Sequence, residues 1–402
     1  MRAVYLASVL LACLLICCGC EEEHETHREA AGSVTWREVD AAYGHLYVIV
    51  QQPLVLPASR PTQLWDLGDM TEPLRPMWAT RVGSRLSRII GTQERAIFTA
   101  EDYGVISRVD AEDGSIQWQT PRAEAGFLHN FAVSARYVYD LRFGDSSSLI
   151  ALPIGTGRPV TRIEIGLKPL PQSAQFPAGP LVIGDSVVIL DTTNSRLLAI
   201  RDAEGWPVVW EASRPDLQNA GPFIGRSGDN VVLSDDSGVH CIRAADGQSL
   251  WSHQIENATI ANVTGSGETV YVITSGGQDG DKLLALSPDG ELVWEYAAGK
   301  ADDRPRRIDP IVLSRQDDVI IRTRFDPSDP PRADYALVAL GKHSGRQVWE
   351  TRLDADHPIF GTDNQIATGG DIVAAITKDR LVVRRGDGSV ARFTDPSLIG
   401  GG

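Results

Sequence analysis

The chain has 402 residues and a formal net charge of −15, with 53 acidic against 38 basic side chains. A surface so acidic repels phosphate backbones and anionic headgroups, which argues against nucleic acid as a partner. Hydrophobic residues make up 42%, with 38 Gly and 23 Pro, a folded and turn-rich composition; the length allows two or three domains, or one closed all-β unit.

The first 19 residues stand apart. Arg2 supplies a positive start, Ala3 to Ile16 is almost wholly apolar, and Cys17-Cys18-Gly19-Cys20 leads into Glu21-Glu22-Glu23. Fourteen apolar residues fall short of the ~20 that span a bilayer as a helix, and the layout is that of a secretory signal. It resembles a bacterial lipoprotein signal, in which a small residue precedes the acceptor cysteine, here Gly19 before Cys20. That resemblance implies lipidation of Cys20, which would anchor the chain without a transmembrane helix. Residues 20–32 then read as the lipidated Cys and an acidic tether. His24 and His27 lie in it without the spacing that puts two His on one helical face. Removing residues 1–19 leaves Cys20, the expected lipid acceptor, and Cys241 in the body, so neither a disulfide framework nor a cysteine-based zinc site is expected.

From residue 33 a device repeats. Asp113-Gly114-Ser-Ile-Gln-Trp118, Asp246-Gly247-Gln-Ser-Leu-Trp251, Asp289-Gly290-Glu-Leu-Val-Trp294 and Ser344-Gly345-Arg-Gln-Val-Trp349 are clear copies. Gly205 to Trp210 carries one extra residue, Trp78 lacks the Gly, and the copies ending at Thr161 and Arg392 lack the Trp. Positions 78, 118, 161, 210, 251, 294, 349 and 392 thus mark eight units, and a period of about 45 is the sign of a propeller or similar array. Each unit holds four short β-rich runs. Between Trp251 and Trp294 these are ThrIleAlaAsnVal, ThrValTyrValIleThr, LysLeuLeuAlaLeu and GluLeuValTrpGluTyr. Four strands per unit make one blade, and no stretch sustains a helical period. The expected fold is therefore all-β: an eight-bladed β-propeller of four-stranded antiparallel blades over residues 33–396, with 397–402 as a tail.

The repeat assigns a role to Trp78, Trp118, Trp210, Trp251, Trp294 and Trp349. Each falls early on the outermost strand D, after a tight C–D turn whose Gly permits positive φ, where a large ring can pack between blades. Trp36 mimics the spacing but precedes its next apolar run by too few residues, so 33–39 reads as strand A of blade 1. The alternative is that this segment completes the last blade and closes the ring.

The phrase Leu-Ala-Leu followed by a turn Gly and, four residues after it, Trp, seen in LeuLeuAlaLeuSerProAspGlyGluLeuValTrp (283–294) and, with Val for the first Leu and one more residue before the Gly, in AlaLeuValAlaLeuGlyLysHisSerGlyArgGlnValTrp (336–349), resembles the repeat of pyrroloquinoline-quinone (PQQ) propellers. Quinoprotein dehydrogenases of that superfamily bind PQQ and calcium at the ring centre, often beneath a Cys-Cys disulfide, which the propeller region lacks. The signal, acidic tether, eight units and length look like the BamB family of outer-membrane assembly lipoproteins. That resemblance implies a non-catalytic scaffold without cofactor, facing the periplasm at the outer membrane, with partners in the cell envelope such as the β-barrel assembly machinery. Two alternatives stay open: a PQQ-dependent dehydrogenase and a cell-surface polymer-binding propeller.

Motifs for catalysis are missing: no Gly-x-Ser-x-Gly elbow, no P-loop and no HExxH. Asp110-Ala-Glu-Asp113-Gly114 lacks calcium-loop spacing and reads as turn chemistry. What breaks the repeat is loop length. Ser275–Lys282, the link Gly299–Arg307, Phe325–Asp334 and Gln51–Pro61 should emerge on one face, where binding segments usually sit. Arg304, Arg306, Arg307 and Leu54-Val55-Leu56 are the candidate partner-binding rim.

Overall fold

The computed structural model describes residues 35–394, apart from 52–61, 71–73, 84–86, 102–103, 122–127, 144–146, 166–178, 192–193, 214–222, 236–237, 257, 277–278, 302–303, 315–316, 326–334, 354–365, 370 and 378–379. Cys20, the tether, Leu54-Val55-Leu56 and the tail lie outside the described residues.

The described chain folds into 33 β-strands in eight antiparallel sheets, with no α-helix among the described residues. The sheets are blades spanning Thr35–Gly83, Ser87–Gln119, Leu128–Ile165, Leu181–Ser213, Ile224–Gln254, Thr259–Ala297, Arg304–Arg352 and Ile366–Phe393. In each, strands A to D lie side by side in chain order. Blade 7 departs from the expected four strands: Lys300–Ala301 pairs with Arg304 and Pro305 as a fifth.

A single four-stranded sheet has two faces and can bury neither alone, so the blades bury each other. The core falls into eight clusters, one per joint between neighbouring blades. Strand B of blade 4, Ser186–Asp191, is buried at every residue. Its side chains alternate between the two sides as a pleat requires. Val187 and Ile189 join Tyr139 and Leu141 of blade 3, while Val188 and Leu190 join Val231 and Leu233 of blade 5. Continuous apolar runs result, because both faces of an inner strand are core.

The ring closes without strand exchange. Thr35–Ala42 pairs with His45–Gln51 as strand A of blade 1, and blade 8 has its own four strands. Closure is by packing: Leu46, Val48, Met70 and Leu74 of blade 1 meet Ala367, Ile372, Ala374 and Ile376 of blade 8. Gly369 makes room for Met70, whose side chain occupies the space a β-carbon would need. Between blades 5 and 6 the inner strands approach backbone to backbone, and a β-carbon on Gly225 would stand 3.0 Å from Thr264 Cα.

The repeated tryptophans sit in five of the joints in one way. Trp78, Trp118, Trp210, Trp251 and Trp294 each donate an indole N–H to a carbonyl in the next blade's C–D turn: Ala111, Ile154, Ala244, Pro288 and Lys342, at 2.6–3.4 Å. Under each ring lies that turn's glycine, Gly114, Gly157, Gly247, Gly290 or Gly345. The glycine is needed twice over. Its φ is positive, +74° at Gly247 and +82° at Gly290, and a β-carbon would stand 2.8 or 2.6 Å from ring atoms. Where an Asp precedes it, as at Gly114 and Gly247, that side chain braces the turn. Asp113 and Asp246 accept the N–H two residues on, at 2.8 and 3.0 Å, and these bonds hold their carboxyls below the usual range.

Three joints depart. At blades 3 and 4, where position 161 is Thr, the aromatic comes from the opposite side. Trp206, the extra residue of blade 4's turn, has a φ of +43° and meets Tyr137 edge-on at 5.4 Å, while Tyr139 donates to Asp202 at 2.5 Å. At blades 7 and 8 the Arg384 guanidinium lies 4.0 Å from the Trp349 ring centre. The joint of blades 8 and 1 relies on Met70.

The clamp separates two kinds of glycine. Gly290→Ala places a methyl group into the Trp251 ring and should cost about 2–4 kcal/mol, as overpacking adds to left-handed strain. Gly267→Ala, at φ +60° with open space around it, should cost only about 1–2 kcal/mol. Urea unfolding of both variants measures the difference; equal losses would refute the clamp.

Candidate interaction surface

The A–B and C–D turns form one face of the ring, and the B–C loops and D–A links form the other. On the loop face, blades 6 and 7 carry the most elaborate described sector. Its hub is Asp281, at the end of blade 6's B–C loop. The Asp281 N–H donates to Arg306 O at 2.9 Å, and its own carbonyl accepts Ala298 N at 2.9 Å. One carboxylate oxygen pairs with Arg307 Nη1 at 3.0 Å, and the other accepts Ile308 N at 2.9 Å. Gly280 beside it, at φ +85°, lets the loop lie against the Gly299 and Arg306 carbonyls, where any side chain would collide. Lys300 of the added strand reaches Asp279 at 3.2 Å. The loop and the following link are thus one corner.

Of the sequence-predicted rim, Arg306 and Arg307 fall in this corner, and both are engaged. Arg306 pairs with Glu350 at 3.1 Å and is 15% exposed; Arg307 pairs with Asp281 and is 23% exposed. Arg304 contributes backbone pairing to Ala301. A second buried network follows on the same strand. Asp309 accepts Arg322 Nε and lies 3.1 Å from Arg324, while Arg322 stacks over Tyr335 at 5.5 Å. Strand A breaks register between Ile308 and Val312 at this point. Sequence reading did not single out Asp281, Asp309 or Arg322, because a strand Arg and a loop Asp look alike whether buried or solvated.

The described residues hold little reactive chemistry. No group of three or more His, Cys, Asp or Glu comes together as a metal site among them. Cys241 lies buried in the joint of blades 5 and 6, and burial pushes its thiol up to about 11. It is protonated at neutral pH and a poor nucleophile. Two His–Asp pairs exist, His45 with Asp66 at 2.9 Å and His240 with Asp235 at 2.6 Å. In both, the Asp also accepts a nearby glycine N–H, Gly68 or Gly238. These pairs brace turns, and among the described residues neither imidazole bonds to a Ser or Cys, as an activated nucleophile would require.

The corner's stability rests on Asp281. Asp281→Ala removes the carboxylate that Arg307 and Ile308 N share and should cost about 2–4 kcal/mol, read by urea unfolding. A loss below about 1 kcal/mol would show that the corner does not depend on it.

A family model for outer membrane protein assembly factor BamB matches residues 26–253 and 235–393. BamB of Yersinia pestis is 23% identical over 382 residues, covering 83% of this chain and 89% of that one. The crystal structure of BamB from Moraxella catarrhalis aligns with a TM-score of 0.51 at 16% identity, over 77% of this chain and 90% of that one. The quinohemoprotein alcohol dehydrogenase of Comamonas testosteroni gives the same TM-score at 12% identity, over 76% of this chain and 67% of that one. The structural likenesses show the ring architecture alone, whereas the family match runs through almost the whole propeller: the chain belongs to the family of the outer membrane protein assembly factor BamB.

Proposed function

We propose that this chain is an exported, lipid-anchored, non-catalytic scaffold that serves the assembly of outer-membrane β-barrel proteins. The observation that carries the reading is the family match over residues 26–393. The signal-like residues 1–19 with Gly19-Cys20 supply the route to the membrane and the anchor, with the propeller facing the periplasm. A rigid ring with one built-up loop sector suits a platform that holds partners. In this reading the partner rim is the loop face near Arg304, Arg306, Arg307 and Leu54-Val55-Leu56. Because Arg306 and Arg307 are held by Glu350 and Asp281, they act there by fixing the corner as well as by charge.

A second reading, a quinoprotein dehydrogenase, has the ring shared with the Comamonas enzyme in its favour. It needs an aromatic platform and a cation cluster at the ring centre. The six repeat tryptophans stand instead on outermost strands, five of them with their N–H groups already bonded within the joints. Adding PQQ and calcium to the protein should produce no bound-cofactor absorbance; a stoichiometric spectrum would favour the enzyme.

Cross-linking followed by capture from membranes tests the scaffold. The expected result is a barrel-assembly component among the captured proteins, lost when Arg304, Arg306 and Arg307 are all reversed to Glu in a variant shown to remain folded. Capture without any such component would overturn the proposal. Cys20→Ser should move the protein from the membrane fraction to the soluble fraction.

A further inference from the structure

In six blades the C–D turn is tied to the A–B turn of the same blade. The N–H groups of Met70, Ala111, Ile154, Asp202, Ala244 and Lys342 donate to the carbonyls of Gly44, Arg95, Arg136, Asp185, Asp229 and Asp317. Each acceptor immediately precedes strand B. Blades 6 and 8 lack this bond because their turns are shorter. Five residues separate the paired Leu286 and Leu292, and five separate Arg384 and Val390, against six between Ile242 and Ser249 or Leu340 and Gln347. Both short turns close on themselves in the same pattern: Ser287 N to Glu291 O and Gly290 N to Ser287 O, Arg385 N to Ser389 O and Gly388 N to Arg385 O. The carbonyl of Glu268, which occupies the acceptor position in blade 6, therefore receives no donor among the described residues.

The two short turns are completed differently. In blade 8 the last residue before the turn is Arg384, whose guanidinium covers the ring of Trp349, the clamp residue of blade 7. In blade 6 the same position is Leu286, which is turned into the joint core. A cleft of about 270 Å³ remains there on the turn face, between blades 5 and 6. Trp251 forms its wall, Val270 and the buried Cys241 line it, and Asp229 and Glu268 stand at its rim. Neither carboxylate makes an ion pair among the described residues. The third charged residue, Arg226, has its Nε held by Gly228 O at 2.8 Å.

We propose that this cleft receives the guanidinium of an arginine side chain presented by a protein partner. The identity of the ligand as part of a partner rests on the scaffold reading; the guanidinium chemistry does not. A planar guanidinium can donate N–H groups to the Glu268 carbonyl, which no protein donor fills among the described residues, carries the charge that Asp229 and Glu268 attract, and offers a flat cation to the part of the Trp251 ring that Gly290 leaves uncovered. In the joint of blades 7 and 8 the chain's own Arg384 lies over the Trp349 ring, so a tryptophan of this repeat does accept a guanidinium, although there the arginine takes the place that Gly290 fills beside Trp251.

The test uses the intact chain labelled with ¹⁵N at its tryptophan indoles, the Trp251 signal being assigned by Trp251→Phe. N-acetylargininamide should shift that signal saturably, and its uncharged isostere N-acetylcitrullinamide should not. Asp229→Asn with Glu268→Gln should weaken binding at least about threefold, as expected for loss of charge-assisted contacts. Inserting one Ala between Ser287 and Pro288, to restore a six-residue turn, should abolish it. No shift, an equal shift with the citrulline analogue, or an unchanged shift in the insertion variant would overturn the proposal. Because the probe is a small molecule and the protein is isolated, failure here is separate from failure to capture an assembly partner from membranes.

Discussion

The packing of one blade's outer tryptophan onto the next blade's turn glycine is the interaction on which the ring depends. A four-stranded sheet of short strands cannot bury its own faces, so each blade is stable only against its neighbours. The clamp sets how those neighbours meet. An indole N–H reaching a turn carbonyl fixes the angle between blades at the perimeter, and the glycine lets the ring come down flat upon the turn. Each half requires the other: a side chain on the glycine would push the ring away, and without the ring the glycine would only lower the stability of the turn.

The same constraint shapes what remains available for function. Side chains of strand B, and most of those of strand C, are taken up by two joints at once, and five of the repeated tryptophans by the clamp. Variation is confined to the loop face and to the few joints where the clamp is altered. On the loop face, an acidic hub at Asp281 welds the blade 6 loop to the entry of blade 7, with Arg306 and Arg307 held by carboxylates. On the turn face, a turn shortened by one residue loses a bond made in six other blades and leaves a cleft beside Trp251. Both are departures from the repeat, and neither resembles a catalytic centre.

The repeat itself was plain in the amino-acid sequence because it is written in residues with few structural uses. Asp-Gly followed four residues later by Trp admits one geometry, a tight turn running into an outer strand, and its spacing counted the blades. Trp36 was correctly separated from the series, since Thr35–Ala42 forms strand A of blade 1. The departures were harder to read. The extra residue between Gly205 and Trp210 was visible as an irregularity, but that it is Trp206, packing back onto Tyr137 in place of the tryptophan missing at Thr161, depends on which residues face each other across a joint. The ion pairs of Arg307 and Arg306 could not be read from sequence, because their partners Asp281 and Glu350 lie 26 and 44 residues away.

The order of residues was thus enough for blade number, strand order and the place of the tryptophans, because those follow from local turn chemistry, alternation along each strand and a regular period. The three-dimensional packing was needed for the reversed joint at Trp206, the fifth strand at Lys300–Ala301, the pairing of Arg306 and Arg307, and the cleft beside Trp251. Each of these arises from contacts between different blades or distant turns. A missing turn residue is a small change along the chain; at blade 8 Arg384 covers the neighbouring tryptophan, whereas at blade 6 Leu286 turns into the core and a cleft is left beside Trp251.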